Sequence, residues 1–394
     1  MSTALLSANT ELIAEDGGSP ISINPFSGHR HIGIFAQQGS GKTVLALDIL
    51  THALAADIPV FALDHPRIDG SSTLRGYTHA LGGDYTNVLF EDGNLFELTD
   101  LGCRDNLSDL LATTLQGMVV GNSDDPCLIT HCREVLSLVL RQFFDNPSIQ
   151  KRYTNAIEGA IGSKAWADTP TLRDFLPFCT PEALVSQGDS QKVGQICEII
   201  TQRLTFWLNS HIGRAIASPS TQQKNSNLQV FAVREDSSPD SPVEQVALQL
   251  VALHFILQSA YVTPQSVVFI PKLSKLCTSH ILSDLIARIC ACGAKFGIRV
   301  ILADQSIVPV SEVRESEKIL QNLETILIGR TPRAEIQTLT TVLGLPPNLL
   351  YRNTCHSFVP DKQDSYSKWL VTQNDTHTLA RHYPSEALLE FSSS

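Results

Sequence analysis

A run of small and polar residues that ends in a lysine and a threonine has the residue types and spacing needed to hold phosphate. The run reads Ala36-Gln37-Gln38-Gly39-Ser40-Gly41-Lys42-Thr43. Small residues allow successive backbone N–H groups to turn towards phosphate oxygens, and the N-terminal end of a following helix adds positive potential. Lys42 would reach the β- and γ-phosphates of a nucleotide, and the Thr43 hydroxyl would bind Mg²⁺. The run therefore predicts a site for ATP and Mg²⁺ formed by Gln38, Gly39, Ser40, Gly41, Lys42 and Thr43.

Hydrolysis of a nucleotide needs acidic residues that this run lacks. An acid after a second apolar strand usually holds the Mg²⁺, and a neighbouring glutamate activates water. Three apolar runs compete for this role, and they end in Pro271-Lys272, in Asp304-Gln305 and at Asp64. Only the second and third of these runs end with a carboxylate.

The segments around the phosphate-binding run predict strands and helices in alternation. An apolar strand over His31–Phe35 precedes the run, a helix follows over 43–56, and a second apolar strand covers Val60–Asp64. This order implies a parallel sheet and argues against a chance match of the run. Further strands are predicted over 228–233, 266–270, 298–303 and 325–328, with helices over 243–257 and 280–292.

The stretch 101–225 differs from the rest of the chain in its helical periodicity and its few β-branched runs. We therefore predict one α/β domain with a parallel central sheet and an inserted all-α subdomain. Residues 1–100 are expected to form the first part of the nucleotide-binding domain, 101–225 the insertion, and 226–394 the second part.

The composition is that of a folded, acidic chain. Of the 394 residues, 43% are hydrophobic and 18% charged, and 29 Lys and Arg stand against 40 Asp and Glu, for a net charge of −11. This charge excludes a generally basic nucleic-acid coat. The nine cysteines form no C-x-x-C pair, which predicts reduced thiols in the cytoplasm. His29 and His31 are expected at a polar strand edge rather than as metal ligands.

No membrane or targeting segment is expected. The N-terminal residues include acids and no basic cluster, which is unlike a signal peptide. The most apolar run, Val246–Leu257, is interrupted by Gln249 and His254 and is shorter than the ~20 residues of a membrane span. It is predicted to be a buried core helix.

Three further motifs, in their order and spacing, resemble those of a known family. They are Gly82-Gly83 with Asn94-Leu95-Phe96-Glu97, then Ile212-Gly213-Arg214, and finally Gly293-Ala294-Lys295 leading to Ala303-Asp304-Gln305. Together with the phosphate-binding run they resemble the C-terminal motor domain of the conjugative type IV secretion ATPases, in the HerA/FtsK superfamily of P-loop NTPases. The resemblance covers almost the whole chain.

This resemblance implies a RecA-like fold and a hexamer that moves DNA or a secreted substrate through its pore. It makes Gln305 a polar sensor of the γ-phosphate or of the attacking water. It implies secretion-channel components as partners, and a cytoplasmic location that leaves open a peripheral position at the inner membrane.

The chain departs from the family at the acidic pair that follows the second apolar strand. Pro271 and Lys272 stand where the resemblance places Asp and Glu. Proline cannot bind a metal, and a charged lysine has no lone pair with which to accept a proton. Loss of a general base typically costs ~10²–10⁴-fold in rate. We also expect the family's N-terminal domain to be absent, because few residues precede the first core strand.

Several residues near these strand ends have alternative interpretations. Asp304 either recovers a metal-binding or basic role beside Gln305 or caps a turn with Ser306. Lys272 either neutralises phosphate without Mg²⁺ or is a solvated lysine. Arg330 either reaches the nucleotide of a neighbouring subunit or lies on the surface. Asp64 is expected to form hydrogen bonds near the loop, at the carboxyl edge of the sheet.

The residues favour a nucleotide-binding protein with weak or lost hydrolysis and a regulatory or assembly role, which associates with itself as a hexamer or with an active paralogue. The alternative is an active hexameric translocase of DNA or of a secreted substrate. A small-molecule kinase is disfavoured, because the long helical insertion stands where a kinase would carry an Arg-rich lid.

Overall fold

The centre of the molecule is one mixed sheet of eleven strands with helices on both faces. The computed structural model describes residues 9–26, 31–100, 102, 104–121, 123, 125–181, 190–220, 226–234, 242–359 and 366–392. The strands are β1 Thr10–Ala14, β2 Pro20–Ile23, β3 His31–Phe35, β4 Val60–Asp64, β5 Asp84–Asn87, β6 Leu228–Ala232, β7 Ser266–Pro271, β8 Ile298–Asp304, β9 Leu323–Ile328, β10 Ser367–Gln373 and β11 Thr376–His382. Their order across the sheet is β2-β1-β11-β10-β9-β3-β8-β7-β4-β6-β5.

The helices of the described ranges connect these strands. They are α1 Lys42–Ala55, α2 Thr73–Ala80, α3 Arg104–Val120, α4 Pro126–Asp145, α5 Pro147–Gly159, α6 Lys164–Ala167, α7 Leu172–Phe175, α8 Ser190–Asn209, α9 Gly213–Ala217, α10 Pro242–Tyr261, α11 Leu273–Leu276, α12 His280–Cys292, α13 Val308–Glu312, α14 Ser316–Leu320, α15 Ile336–Leu343, α16 Pro347–Asn353 and α17 Glu386–Ser392. Short 3₁₀ turns cover Leu176–Phe178, Gly293–Phe296, Arg333–Glu335 and His356–Phe358.

The strands from β9 through β3 to β5 are parallel to one another. They confirm the predicted parallel central sheet, and six of the seven coincide with strands predicted from the sequence. The seventh, β5, was not predicted because its four residues, Asp-Tyr-Thr-Asn, form no apolar run.

Four antiparallel strands, β10, β11, β1 and β2, extend the sheet beyond β9. Because of these strands the sheet is mixed rather than wholly parallel, and the sequence analysis does not predict them. Asn374 and Asp375 join β10 to β11 with φ angles of 47° and 60°, as the turn of a tight hairpin requires. β-Branched and aromatic residues on either side of such a polar pair are the signal that would have identified this hairpin.

In the described parts of 104–217 the regular structure is helical, from α3 to α9. Apolar side chains of these helices join those of α10, α12 and one face of the sheet in a continuous core. His254 of α10 lies at this junction: its Nδ1 accepts from the Thr114 hydroxyl at 3.0 Å, and its Nε2 donates to the Leu95 carbonyl at 2.8 Å. The helical insertion is therefore packed onto the sheet, and its boundaries as a separate unit stay a prediction.

The helix α10 lies in this core. By length and composition the segment Val243–Tyr261 would suffice to cross a membrane, yet 67% of its most apolar stretch is buried inside the protein. Leu250, Val251 and Leu253 are among its fully buried side chains. The predicted core helix over 246–257 is thus found within α10.

The opposite face of the sheet carries α1, α2 and α17. The Phe391 ring of α17 meets the Tyr77 ring of α2 edge-on, with 6.0 Å between the ring centroids. The buried His382 of β11 donates from Nε2 to Asp48 of α1 at 3.1 Å. The antiparallel extension therefore also holds the helix that follows the phosphate-binding run.

His31 of β3 is a core residue. Its Nε2 donates to the Cys290 carbonyl at 2.8 Å, and its Nδ1 accepts from the Val300 N–H at 3.0 Å. Burial lowers the pKa of His31 to about 4, so the imidazole is neutral at pH 7. The predicted polar strand edge is wrong for His31, and His29 lies outside the described residues.

Candidate nucleotide site

The phosphate-binding loop, residues 36–43, is held between the carboxyl ends of two neighbouring strands. Its strand, β3, pairs with β8 on one side and β9 on the other. The Ala36 N–H donates to the Asp304 carbonyl at 3.1 Å, and the Gln37 N–H donates to the Arg330 carbonyl at 2.8 Å. Both neighbours thus fix the start of the loop by backbone hydrogen bonds.

Two glycines give the loop its shape. Gly39 and Gly41 have φ angles of 78° and 84°, in the left-handed region that residues with a Cβ rarely adopt. A Cβ on Gly39 would meet no atom within 4 Å, so the backbone conformation is what requires glycine there. Gly41 is the N-cap of α1, and no side chain accepts a hydrogen bond from the N–H groups at this helix end. These N–H groups are the donors that an anion would satisfy.

Side chains of the loop add to this donor set. The Ser40 hydroxyl is buried without a hydrogen-bond partner, which is costly unless a ligand or a water satisfies it. The Lys42 Nζ donates to the Ala36 carbonyl at 3.0 Å. Burial lowers the pKa of Lys42, while the charge of Asp304 raises it. Gln38 and Thr43 are exposed. The residues predicted to bind phosphate therefore lie together and fit that group.

Asp304 lies beside the loop at the end of β8, in register with Phe35 of β3. It is buried, and its carboxylate accepts from the backbone N–H groups of Gln305 and Ser274. The predicted turn cap with Ser306 is wrong, because the Asp304 carboxylate instead holds the turn that begins α11, and Ser306 Oγ accepts from Val308. Gln305 is exposed next to it, and its role as a sensor stays a prediction.

Pro271 is the last residue of β7, the strand next to β8, and it is in register with Ala303. Lys272 directly follows it. Lys272 has a left-handed backbone, with φ 54°, and its Nζ donates to the His65 carbonyl at 2.7 Å. Burial lowers the pKa of Lys272, while Asp64 raises it and Arg67 lowers it. Lys272 is exposed, as the interpretation of a solvated lysine expects, but its ammonium group is held by the His65 carbonyl. No acid follows β7 at these two positions.

Asp64 and Arg330 lie at the carboxyl edge of the sheet, as expected. Asp64 is buried on β4, two strands further from β3 than β8 is, and its Oδ2 accepts from the Tyr85 hydroxyl at 2.7 Å. Its hydrogen bond is therefore to β5 and not to the phosphate-binding loop. Arg330 is half-buried and holds Gln37 through its carbonyl. Its action on a neighbouring subunit stays a prediction.

Glu335 is a carboxylate near the site that the sequence analysis missed. It is half-buried, and burial raises its pKa, as does the charge of Asp304, whereas a hydrogen bond from Ser306 lowers it. It lies in the short 3₁₀ turn Arg333–Glu335, several residues beyond the end of β9 rather than directly at the end of that strand. The sequence therefore gave no spacing rule that would have singled it out.

Solved structures share this fold over nearly the whole chain. VirB4 of Thermoanaerobacter pseudethanolicus matches at 14% identity and a TM-score of 0.67, covering 97% of this chain and 98% of that one. The plasmid coupling protein TrwB in complex with the ATP analogue ADPNP matches at 14% identity and 0.54, covering 96% and 93%. TrwB in complex with ADP and Mg²⁺ matches at 15% and 0.51, covering 93% and 87%. No protein-family model and no curated protein sequence matches the chain. The structural similarities confirm the predicted RecA-like P-loop fold.

Proposed function

We propose that this protein binds ATP or ADP as a nucleotide-binding protein of the type IV secretion and conjugation ATPase type, with weak or lost hydrolysis and a regulatory or assembly role. The observation that carries the proposal is a complete phosphate-binding loop two strands away from Pro271-Lys272, where an acidic pair would be needed. TrwB, which has the same fold, binds ADPNP, and ADP with Mg²⁺. The loop residues support the nucleotide part of this comparison.

Slow hydrolysis follows from the groups around the loop. Pro271 and Lys272 supply neither a metal ligand nor a base. The Asp304 carboxylate already accepts hydrogen bonds from two backbone N–H groups, so both of its oxygens are engaged in holding the turn. Gln305 would orient water but would not deprotonate it. What remains for catalysis is the loop itself and the carboxylates Asp304 and Glu335.

A phosphate-release assay with and without single-stranded DNA tests the proposal, together with a nucleotide titration. We expect turnover well below the usual enzyme range of ~1–10³ s⁻¹. Lys42→Ala should remove most of the nucleotide affinity, because the phosphates lose a fixed cation. Equal dissociation constants for wild type and Lys42→Ala would show that the site is misassigned.

The reverse substitution distinguishes missing acids from other causes of slow turnover. Pro271→Asp combined with Lys272→Glu should raise the hydrolysis rate by ~10-fold or more if only the acids are missing. A wild-type rate within the ordinary enzyme range would instead favour the second candidate, an active hexameric translocase of DNA or of a secreted substrate. The specific observation in favour of that candidate is the Asp304 carboxylate, whose charge acts on Lys42, with a second carboxylate, Glu335, in charge interaction with Asp304.

In either case we propose a cytoplasmic protein that works in an assembly, free or at the inner face of a membrane. A nucleotide bound at the carboxyl ends of the strands is usually covered on its other side by a neighbouring subunit. A hexamer, or a ring shared with an active paralogue, would supply that covering subunit and would place Arg330 near the next subunit's nucleotide. Secretion-channel components and DNA in the pore are the partners that this arrangement implies.

A further inference from the structure

Lysine side chains occupy the end of β7, where the predicted fold would place metal-binding acids. Lys272 directly follows β7, and Lys275 lies in α11, one turn further along the chain. Burial lowers the pKa of Lys275, while the charge of Asp304 raises it, and the same carboxylate raises the pKa of Lys42. The contacts give the same arrangement: the Lys42 Nζ donates to the Ala36 carbonyl, and the Ala36 N–H donates to the Asp304 carbonyl. The Ser274 N–H, next to Lys275, donates to the Asp304 carboxylate, so Asp304 lies between the phosphate-binding loop and the turn that carries Lys275.

The backbone holds these lysines in place. The Ser274 N–H donates to the Asp304 carboxylate, which fixes the start of α11 against the end of β8. Lys272 is fixed by its left-handed backbone and by its hydrogen bond to the His65 carbonyl. His65 is buried, and the charges of Lys275 and Lys272 add to burial in lowering its pKa to about 3. The two lysines therefore lie over the end of β7, between β8 and β4.

The residues here do not fit a magnesium ion. Mg²⁺ bound to a nucleotide takes one or two protein carboxylates besides the phosphates, and the two positions at the end of β7 supply a proline and a lysine instead. Among the described residues, no three His, Cys, Asp or Glu side chains form a group that could hold a metal. Thr43 is the Mg²⁺ ligand that the sequence predicts, and no carboxylate at the end of β7 joins it.

We propose that Lys275, together with Lys42, neutralises the phosphates of the bound nucleotide, so that this site takes ATP or ADP without Mg²⁺. The inference rests on the proposed nucleotide binding and names the form in which the nucleotide is bound. The ammonium groups take over the charge that the metal would supply, and Lys272 holds the adjoining backbone in place. Asp304 holds the turn in which Lys275 lies, through an oxygen acceptor that an asparagine at this position would keep.

Titration of ADP and ATP into the full chain, in excess Mg²⁺ and in excess EDTA, tests this inference. We expect dissociation constants that agree within ~3-fold between the two conditions. Lys275→Ala should weaken binding in EDTA by ~10-fold or more, and Lys275→Arg should restore most of it because the charge is kept. Lys295→Ala is the matched control, since Lys295 is exposed in the 3₁₀ turn before β8, at the other end of that strand, and should bind as wild type does.

A gain of metal dependence supplies a second measurement. Pro271→Asp with Lys272→Glu should make binding at least ~10-fold tighter in Mg²⁺ than in EDTA. Wild-type binding that requires Mg²⁺ would overturn the inference and leave the nucleotide proposal intact. Equal affinities of Lys275→Ala and Lys295→Ala would also overturn it. Absence of binding in both conditions would overturn the proposed function itself.

Discussion

At the scale of single residues, Asp304 holds a different turn from the one that the sequence suggested, and it lies beside the phosphate-binding loop. It holds a turn by accepting hydrogen bonds from two backbone N–H groups, and its charge acts on Lys42 of the phosphate-binding loop. An asparagine cannot fully replace Asp304. Its amide oxygen would accept one of the two hydrogen bonds, but its NH₂ group would face the other backbone N–H. The structural role of Asp304 is therefore seen in its contacts, and its role in hydrolysis stays a prediction.

Asp304→Asn should abolish residual ATP hydrolysis and leave the nucleotide dissociation constant within ~3-fold of wild type. The unsatisfied Ser274 or Gln305 N–H should lower the free energy of unfolding by ~1–3 kcal/mol. Phosphate release, nucleotide titration and urea unfolding measure these effects. Asp64→Asn is the control, since Asp64 is an equally buried strand-end carboxylate bound to Tyr85, and it should lose stability without changing hydrolysis. Hydrolysis that is unchanged in Asp304→Asn would contradict the assignment.

A second residue-scale prediction concerns pH. Burial lowers the pKa of His31 and of His254 to about 4, from an ordinary value of 6.5. Below pH 6.5 the unfolded chain binds protons that the folded chain does not, so stability present above that pH is lost progressively as the pH falls towards 4. Between about pH 7 and about pH 5 each such histidine should cost ~2 kcal/mol of unfolding free energy.

His254→Gln provides the test of this pH dependence, because the glutamine amide can both donate and accept as His254 does. Its unfolding free energy should fall by ~2 kcal/mol less than that of wild type over the same pH interval. His356→Gln is the control, since His356 is exposed and should follow the wild-type curve. Parallel curves for wild type and His254→Gln would show that His254 does not carry this dependence.

At the scale of elements, the close approach of β9 to the loop depends on Gly329. A Cβ at this position would lie 2.7 Å from the Ala36 Cβ and 3.0 Å from Cζ3 of Trp369. Gly329→Ala should therefore push the end of β9 away from the loop, lower the unfolding free energy by ~1–3 kcal/mol and weaken nucleotide binding.

Gly76→Ala is the matched control for this prediction, because Gly76 lies inside α2 and a Cβ there would meet no atom within 4 Å. It should stabilise the protein by ~0.5–1 kcal/mol, since alanine is the better helix former, and leave nucleotide binding unchanged. Thermal melts and nucleotide titration compare the two variants. Equal behaviour of Gly329→Ala and Gly76→Ala would contradict the packing argument.

The type of each strand explains how much of the fold the sequence predicts. Strands buried on both faces, such as β4 and β8, are continuous apolar runs and were predicted within a residue or two of their observed ends. The edge strand β5 and the hairpin of β10 and β11 lack such runs, so their pairing was not foreseen. The phosphate-binding loop was predicted because its spacing is local. Glu335 and the contact of Lys272 with His65 depend on strand order, which a local pattern does not encode.

At the scale of the whole molecule, we expect a ring of six when nucleotide is present. The reason is that the loop lies at the carboxyl ends of the strands, where the assembly proposed above would cover the nucleotide with a neighbouring subunit. With a net charge of −11 per chain, any contact with DNA should be confined to a basic strip facing the pore. Multi-angle light scattering of wild type with nucleotide, and of Lys42→Ala as the nucleotide-free control, measures this assembly. Monomer alone at high concentration would contradict the ring and leave the nucleotide site untouched.

The position of β3 in the sheet has a mechanical consequence. Five strands lie on each side of it, and the loop that leaves it is tied to one half through the Asp304 carbonyl and to the other through the Arg330 carbonyl. A change in twist between the two halves alters the separation of these carbonyls and hence the curvature of the loop. We therefore expect torsion applied at the outer strands to reach the phosphate-binding donors, and a bound phosphate to resist that torsion.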